Sequence, residues 1–345
     1  MAAMRGKKKR IAALEPDAFL RLRQRQLRRA LDNDHPFRPQ LVIPLAGRRG
    51  ISARDNPFDA HAGLRRQHQK FLGRAGRGEG SKEVRHQAAF SAKLASMHRF
   101  FLPAEALLSE SPTLAGDEAH HCLNVVRHGV GDKIVVFDGR GHEATAEIVN
   151  ATKREAPLRV LHRAKSAPIA CRLTLAQAVP KGKNMDLIIE KAVELGAAAI
   201  VPLLSDRTVV QLDAKEVAAK RAKWQTVALE ACKQCGQNWL PEIGAPMSPK
   251  AFFEQHRPTG LLLIASLQSD SRPIKPTLAA YAAEHGAPPS EVTILIGPEG
   301  DFTPAELGLA KSNGCAPVTL GPIILRTETA AIYCLSVLGH ELFGN

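Results

Sequence analysis

Residues 291 to 331, EVTILIGPEGDFTPAELGLAKSNGCAPVTLGPIILRTETAA, constrain the fold more than any other stretch of the chain. An apolar run ends at Gly297-Pro298-Glu299-Gly300, and a second ends at Leu320-Gly321-Pro322. Between them Thr303-Pro304-Ala305-Glu306 has the form of a helix start. A Thr N-cap, Pro at the first helical position and Glu three residues after the cap satisfy N–H groups that have no partner within the helix. Gly314 is placed to stop that helix. After the second turn Thr327 is placed to cap another, with an apolar stripe at Ala331, Leu335, Leu338 and Leu342. The order strand, loop, helix, strand, loop, helix predicts adjacent parallel strands whose loops gather at the carboxyl ends, where open α/β sheets bind ligands. One Gly-Pro after a strand is ordinary turn chemistry. Two in consecutive units, the second followed by Arg-Thr-Glu-Thr, point to a site.

The 345 residues give room for two domains with cores of their own. The sequence has no apolar run long enough to span a bilayer and no secretory signal pattern, which together predict a cytosolic protein. The scattered cysteines at 122, 171, 232, 235, 315 and 334 read as reduced thiols, not a disulfide framework. A net charge of +13 would suggest nucleic acid as a partner, but it is not spread over the chain. Residues 1–96 hold 22 Lys and Arg against 8 Asp and Glu, which leaves 25 against 26 for the rest. Any RNA contact by residues 97–345 must therefore come from a local patch, not from the global charge.

Periodicity is poor in residues 1–96, apart from an amphipathic pattern from Glu15 to Leu31, and the segment reads as a basic, disordered extension. Three readings stand. It is a basic arm adding salt-sensitive affinity for RNA, an organelle transit peptide, which its eight acidic residues weaken, or sequence upstream of a true start at Met97. The third is preferred. Residues 97–168 read as a small β domain. Ile134 to Phe137 and His142 to Ile148 form a hairpin around Asp138-Gly139-Arg140-Gly141, with Ala144, Ala146 and Ile148 on the inner face. Leu158 to Leu161 supplies a third strand, and Glu118 to Arg127 a helix.

Residues 169–345 read as a second, α/β domain. Arg172 to Val179 is a strand, Asn184 caps a helix ending before Gly196, and Ala199 to Leu204 returns as a strand, a βαβ unit of near-minimal length. A longer helix runs from Lys215 to Cys235, then a strand from Gly260 to Ser266 and a helix from Leu278 to His285. Cys232 and Cys235 form a single C-x-x-C without a second pair, so zinc or redox chemistry is the lesser reading and no metal is expected.

The run I-G-P-E-G followed by L-G-P-x-x-L-R-x-E-T-A resembles the cofactor loops of the SPOUT-class RNA methyltransferases, and within them the RsmE type. The run K-G-x-x-x-x-x-I-I-E-K-A-x-E-L-G, with Lys181, Glu190, Lys191 and Glu194, is similar to the same family, as is the opening Met97-His98-Arg99-Phe100-Phe101. The resemblance covers about residues 97 to 342. It implies a knotted SPOUT-type parallel-sheet domain preceded by a PUA-like β-barrel, and a homodimer as the working form. It also implies methylation of N3 of a uridine in 16S ribosomal RNA with S-adenosyl-L-methionine (SAM) as donor. The knot rests on resemblance alone.

Carried onto this chain, the resemblance implies that Gly297, Pro298, Glu299, Gly300, Leu320, Gly321, Ile324, Leu325 and Thr329 hold the cofactor. Arg326 and Glu328 would be catalytic, with Glu328 or Glu299 orienting Arg326 or the cofactor. Arg99, Arg127, Lys181 and Gln234 would meet RNA. An acid in a first helical turn is also favoured by the helix dipole, by about 0.3–1 kcal/mol, whatever its catalytic duty. The chain departs from the family at Asp301, usually Gly, at Ile323, usually basic, and at Lys233 and Gln237, in the Glu and Arg places of E-Q-x-x-R. Two alternatives stand beside the leading function: a SPOUT methyltransferase of another RNA site, and a non-catalytic RNA-binding protein of ribosome assembly. A start at Met97 predicts that mass mapping of the native protein finds no tryptic peptide from residues 11–90, and detection of one excludes it.

Overall fold

A computed structural model describes residues 97–210 and 212–344. The extension, with its expected helix from Glu15 to Leu31, lies outside the described residues.

Strands β1 (Arg99–Phe101), β2 (Thr113–Ala115), β3 (Lys133–Phe137), β4 (His142–Ile148) and β5 (Glu155–Lys165) form one sheet in the order β1-β3-β4-β5-β2. The expected hairpin is β3 and β4, antiparallel with Val136 opposite Ala144. Its turn is fixed by Asp138, whose carboxylate accepts from the backbone N–H of Arg140 and of His142 and pairs with the His142 ring at 2.7 Å. Ala144, Ala146 and Ile148 are buried with Phe100, Leu114 and Ile134 in this sheet's own core. Short helices α1 (Ala104–Leu107) and α2 (Gly116–His120) cover it, and α2 widens into a π-helical turn over His121–Val125. The expected helix to Arg127 therefore ends early. Arg127 lies beyond it with φ +66°, a left-handed conformation that helical backbone excludes.

The remaining strands are β6 (Arg172–Ala178), β7 (Ala197–Leu203), β8 (Glu242–Ile243), β9 (Leu261–Ala265), β10 (Arg272–Pro273), β11 (Glu291–Ile296) and β12 (Ala316–Thr319). They form one sheet in the order β10-β12-β9-β11-β6-β7-β8, and every pairing in it is parallel. Parallel strands need crossovers, so helices cover both faces and the strands are apolar on both sides. One face carries Leu173, Leu175, Leu263, Ile294 and Ile296. It packs on α3 (Asn184–Glu194), α4 (Ala214–Cys235), α6 (Ile274–His285) and α8 (Thr327–Leu342). The other face carries Ala176, Val201, Ile264 and Leu295 against α5 (Pro249–His256) and α7 (Pro304–Ser312).

Helix α7 has the full capping box of Thr303 and Glu306. Helix α4 has another, of Asp213 and Glu216, and ends at Gly236 with φ +84°. Two expected caps differ. Asn184 is the first residue of α3, after an N-cap at Lys183 that makes no side-chain bond. Thr327 is likewise the first residue of α8, after Arg326, because its hydroxyl is engaged elsewhere.

The two sheets meet at a polar junction. Arg99 donates to Glu143 at 3.1 Å and to Asn238, and its guanidinium lies 4.9 Å from the centre of the Phe137 ring. Gly141, at φ +94°, accepts Trp239 so closely that a Cβ there would stand 2.7 Å from the indole. Lys233, with 7% of its side chain exposed, is paired with Glu118 of α2 and with Glu230. Burial pulls the Lys233 ammonium pKa down, but its hydrogen bonds to Glu118 and Glu230 outweigh that, and the net displacement is upward. A raised pKa means the stabilisation is complete below the unfolded lysine value and is lost only as pH rises through the folded one, so neutral pH preserves it. Glu118 also accepts from the Phe101 backbone N–H at 3.0 Å. Glu118→Ala should therefore lower stability by roughly 1–3 kcal/mol in urea unfolding at neutral pH, as expected when buried donors lose a charged acceptor; an unchanged midpoint would show that the junction carries no such load.

Candidate active site

Because the strands of the second sheet run the same way, the segments after β6, β9, β11 and β12 emerge at one edge. There they enclose a cleft of about 550 Å³, within the range of small-molecule sites. The β11 loop contributes Gly297, Pro298, Glu299 and Asp301. The β12 loop contributes Leu320, Gly321, Ile323, Ile324 and Leu325, and the start of α8 adds Arg326, Thr327 and Glu328. The β6 loop brings Lys181 and Asn184, and the end of β9 brings Ala265, Ser266 and Leu267. Both glycine turns thus border one cavity.

Hydrogen bonds from three separate segments fix the β11 loop. The Thr327 hydroxyl donates to the Gly297 carbonyl at 2.8 Å, and Arg207 donates to the Gly300 carbonyl at 2.6 Å. The Lys181 backbone N–H donates to the Glu299 carboxylate at 3.0 Å. Within the loop Asp301 N–H donates to Pro298 O, and Asp301 Oδ1 accepts from Phe302 N–H at 2.8 Å. Asp301 adopts φ +62°. That left-handed conformation accounts for glycine being usual at this position, and the Asp side chain tolerates it by bonding to neighbouring backbone. Arg326 is exposed, borders the cleft, and forms no ion pair with any described residue. Glu328 is half-buried two residues along.

Of the expected cofactor residues, Gly297, Pro298, Glu299, Leu320, Gly321, Ile324 and Leu325 line the cleft together with Arg326 and Glu328. Gly300 and Thr329 do not. A Cβ on Gly300 would face the Arg207 side chain at 3.3 Å, and Thr329 is exposed beyond the cleft. Glu299 orients the β6 loop, not Arg326. Of the expected RNA contacts, Lys181 borders the cleft, and Arg127 and Gln234 are exposed. Arg99 is spent at the junction, with only 11% of its side chain exposed, which leaves no free face for a phosphate. Lys191 is held between Glu190 and Glu194, and those hydrogen bonds raise its pKa. Cys232 is buried, and burial pushes its thiol up to about 12, which removes the thiolate that redox or metal chemistry needs at neutral pH. Sequence reasoning passed over Arg207, Ser266 and Leu267. The last two follow a buried strand, and only its place in the parallel order brings them to this edge.

Residues 167–339 match the model of an RNA methyltransferase domain, and residues 114–161 that of an RNA methyltransferase PUA domain. The chain is 31% identical over 251 residues to ribosomal RNA small subunit methyltransferase E of Bacillus subtilis, covering 71% of this chain and 97% of the relative. This chain belongs to that methyltransferase family. A second family member, from Synechocystis, is 32% identical over 258 residues, covering 74% of this chain and 82% of its own length. Among solved structures, a protein from Legionella pneumophila in complex with SAM is 32% identical with a TM-score of 0.63, covering 71% of this chain and 98% of that one. Ribosomal RNA small subunit methyltransferase E from Neisseria gonorrhoeae, bound to SAM, is 29% identical with a TM-score of 0.62 over the same shares. Asp301→Gly should leave thermal unfolding nearly unchanged, whereas Asp301→Val should cost about 1–2 kcal/mol for a β-branched residue held left-handed; equal stabilities would contradict the backbone reading.

Proposed function

We propose that this chain methylates N3 of a uridine in 16S ribosomal RNA of the small subunit, with SAM as the methyl donor. The observation that carries the reading is the cleft itself, in which both glycine turns and the unpaired Arg326 face one cavity at the carboxyl edge of a parallel sheet. The cleft suits a nucleoside. Apolar Ile296, Leu320, Ile324 and Leu325 offer walls for an adenosyl group, and Gly321, at φ +110°, has open space where a Cβ would stand. Glu299, Asp301 and Glu328 are the acids that line it.

SAM supplies an electrophilic methyl group on a sulfonium sulfur. For a uridine to accept it, the N3 proton would pass to solvent, negative charge would spread over N3 and the flanking carbonyl oxygens, and the N3–carbon bond would then form as the carbon–sulfur bond breaks, releasing neutral S-adenosylhomocysteine. Arg326 is the cation placed to meet that charge, and its position at the N-cap of α8 holds it at the cleft before the substrate arrives. The loops on either side bring base and donor together, which is much of the rate. Glu328 lies in the first turn of α8, where its charge favours the helix. Lys181 and the exposed Arg127 and Gln234 stand for RNA contact. Ile323, 72% exposed at the rim, takes the place of a basic residue, and Gln237 Oε1 accepts from the backbone N–H of Trp239. RNA affinity therefore rests on fewer cations than the family pattern supplies.

A homodimer is the proposed working form. Helices α3 and α8 pack on each other and leave Leu187 and Tyr333 exposed, a surface suited to a second copy. Among the described residues no helix is long and apolar enough to cross a membrane, and the proposed place of action is the cytosol.

Mass mapping of small-subunit RNA from a deletion strain should show one uridine lacking its methyl group, restored by the wild-type gene and not by Arg326→Ala. Arg326→Ala should still bind SAM. A missing methyl elsewhere, such as on a ribose, would move the reading to another RNA site, and a wild-type protein that fails to bind SAM would leave the non-catalytic assembly role.

A further inference from the structure

We infer that Gln177, a residue of β6 that does not line the cleft, is a positioning residue that sets the SAM site through the Thr327 hydroxyl. The inference rests on the reading of the cleft as the SAM site. Gln177 is fully buried at the carboxyl end of β6, opposite Ile296 of β11, the last residue before Gly297. Its neighbours of the same parity, Leu173 and Leu175, belong to the apolar core beneath α8. An amide in that setting requires explanation, the more so because its Oε1 is buried without a hydrogen-bond partner. An apolar side chain of like volume would avoid that cost. What Gln177 provides is its NH₂, which donates to the Ala178 carbonyl at 2.9 Å and to Thr327 Oγ1 at 3.0 Å.

Those two bonds decide more than the place of one side chain. The Ala178 carbonyl only accepts, so it fixes which end of the amide faces it, and the second amide hydrogen is then aimed at Thr327. A threonine hydroxyl has one hydrogen. With its oxygen accepting from Gln177, that hydrogen goes to the Gly297 carbonyl, 2.8 Å away. The relay therefore runs from β6, through the first residue of α8, to the first residue of the β11 loop.

The relay has particular weight because α8 has no side-chain cap: its N-cap is Arg326, which makes no capping bond. The side-chain bonds that tie the first turn of α8 to the sheet pass through Thr327. Arg326 and Glu328, the residues on either side of it, inherit their position from that anchor. One buried amide thus sets both walls of the cleft, the β11 loop and the start of α8.

The test uses the full chain as Gln177→Met, Thr327→Val, Thr327→Ser and the Gln177→Met/Thr327→Val double variant. SAM affinity is read by calorimetry, and hydrogen exchange of residues 297–303 is read on ligand-free protein, with far-ultraviolet circular dichroism as the check on folding. Gln177→Met and Thr327→Val should each weaken SAM about tenfold, the scale of one buried hydrogen bond lost, and should speed exchange in the β11 loop. Thr327→Ser keeps the hydroxyl and should hold exchange in the β11 loop at the wild-type rate. The double variant should be no weaker than Thr327→Val, because Gln177 acts through that hydroxyl. Unchanged affinity and exchange in folded Gln177→Met, or losses that simply multiply in the double variant, would overturn the inference. If Gln177→Met does not fold, Thr327→Val decides, and unchanged loop exchange there overturns it as well. A wild-type protein that binds no SAM sinks the reading of the cleft instead, a different result from a relay that fails in the exchange measurement.

Discussion

The hydrogen bond from the Thr327 hydroxyl to the Gly297 carbonyl joins two segments that follow different strands, and the cleft lies between them. Parallel strands bring the loops to one edge, but direction alone leaves their separation open. Side chains close it. Thr327 fixes the start of the β11 loop, Arg207 its far end, and Glu299 holds the β6 loop against its middle. With the carbonyls of Gly297 and Gly300 occupied by protein donors, the loop is held by its acceptors without any ligand. Preorganisation of this kind is what a methyl-transfer site needs, since the reaction depends on bringing two partners into line.

The first sheet is held to this arrangement by charge and by close backbone approach. Arg99, Glu143 and Asn238 form one group, Lys233 and Glu118 another, and the strand-end turn at Gly141 fits against Trp239. Substitution of the family's usual Glu by Lys233 has an explanation here, because the ammonium finds two carboxylates and stays charged despite its burial.

Much of this was legible in the order of residues. Two apolar runs ending at Gly-Pro, with a Thr-Pro-Ala-Glu start between them, implied parallel strands and loops at one edge, and α7 has the capping box those residues announce. The alternation from His142 to Ile148 gave the hairpin. What was not legible depends on long-range partners. Thr327 looks like a cap because Ser and Thr cap helices locally, but a carbonyl thirty residues away in the chain claims its hydroxyl. Arg99 looks like a phosphate ligand until an acid and an amide, 44 and 139 residues away, close around it. Gln177 carries no local signal at all, since an amide inside an apolar strand pattern shows its purpose only when α8 is folded over it. Local grammar announces turns and caps; the tertiary fold decides which side chains are left free for chemistry.

The measurement closest to the central claim is a crystal structure of the chain with S-adenosylhomocysteine, the product left after methyl transfer. The account predicts the adenosyl group between Gly297–Asp301 and Leu320–Leu325, the sulfur directed towards open space beside Arg326, and the Thr327–Gly297 bond intact. Density for the ligand at any other edge of the sheet, or a β11 loop that rebuilds to admit it, would contradict the account.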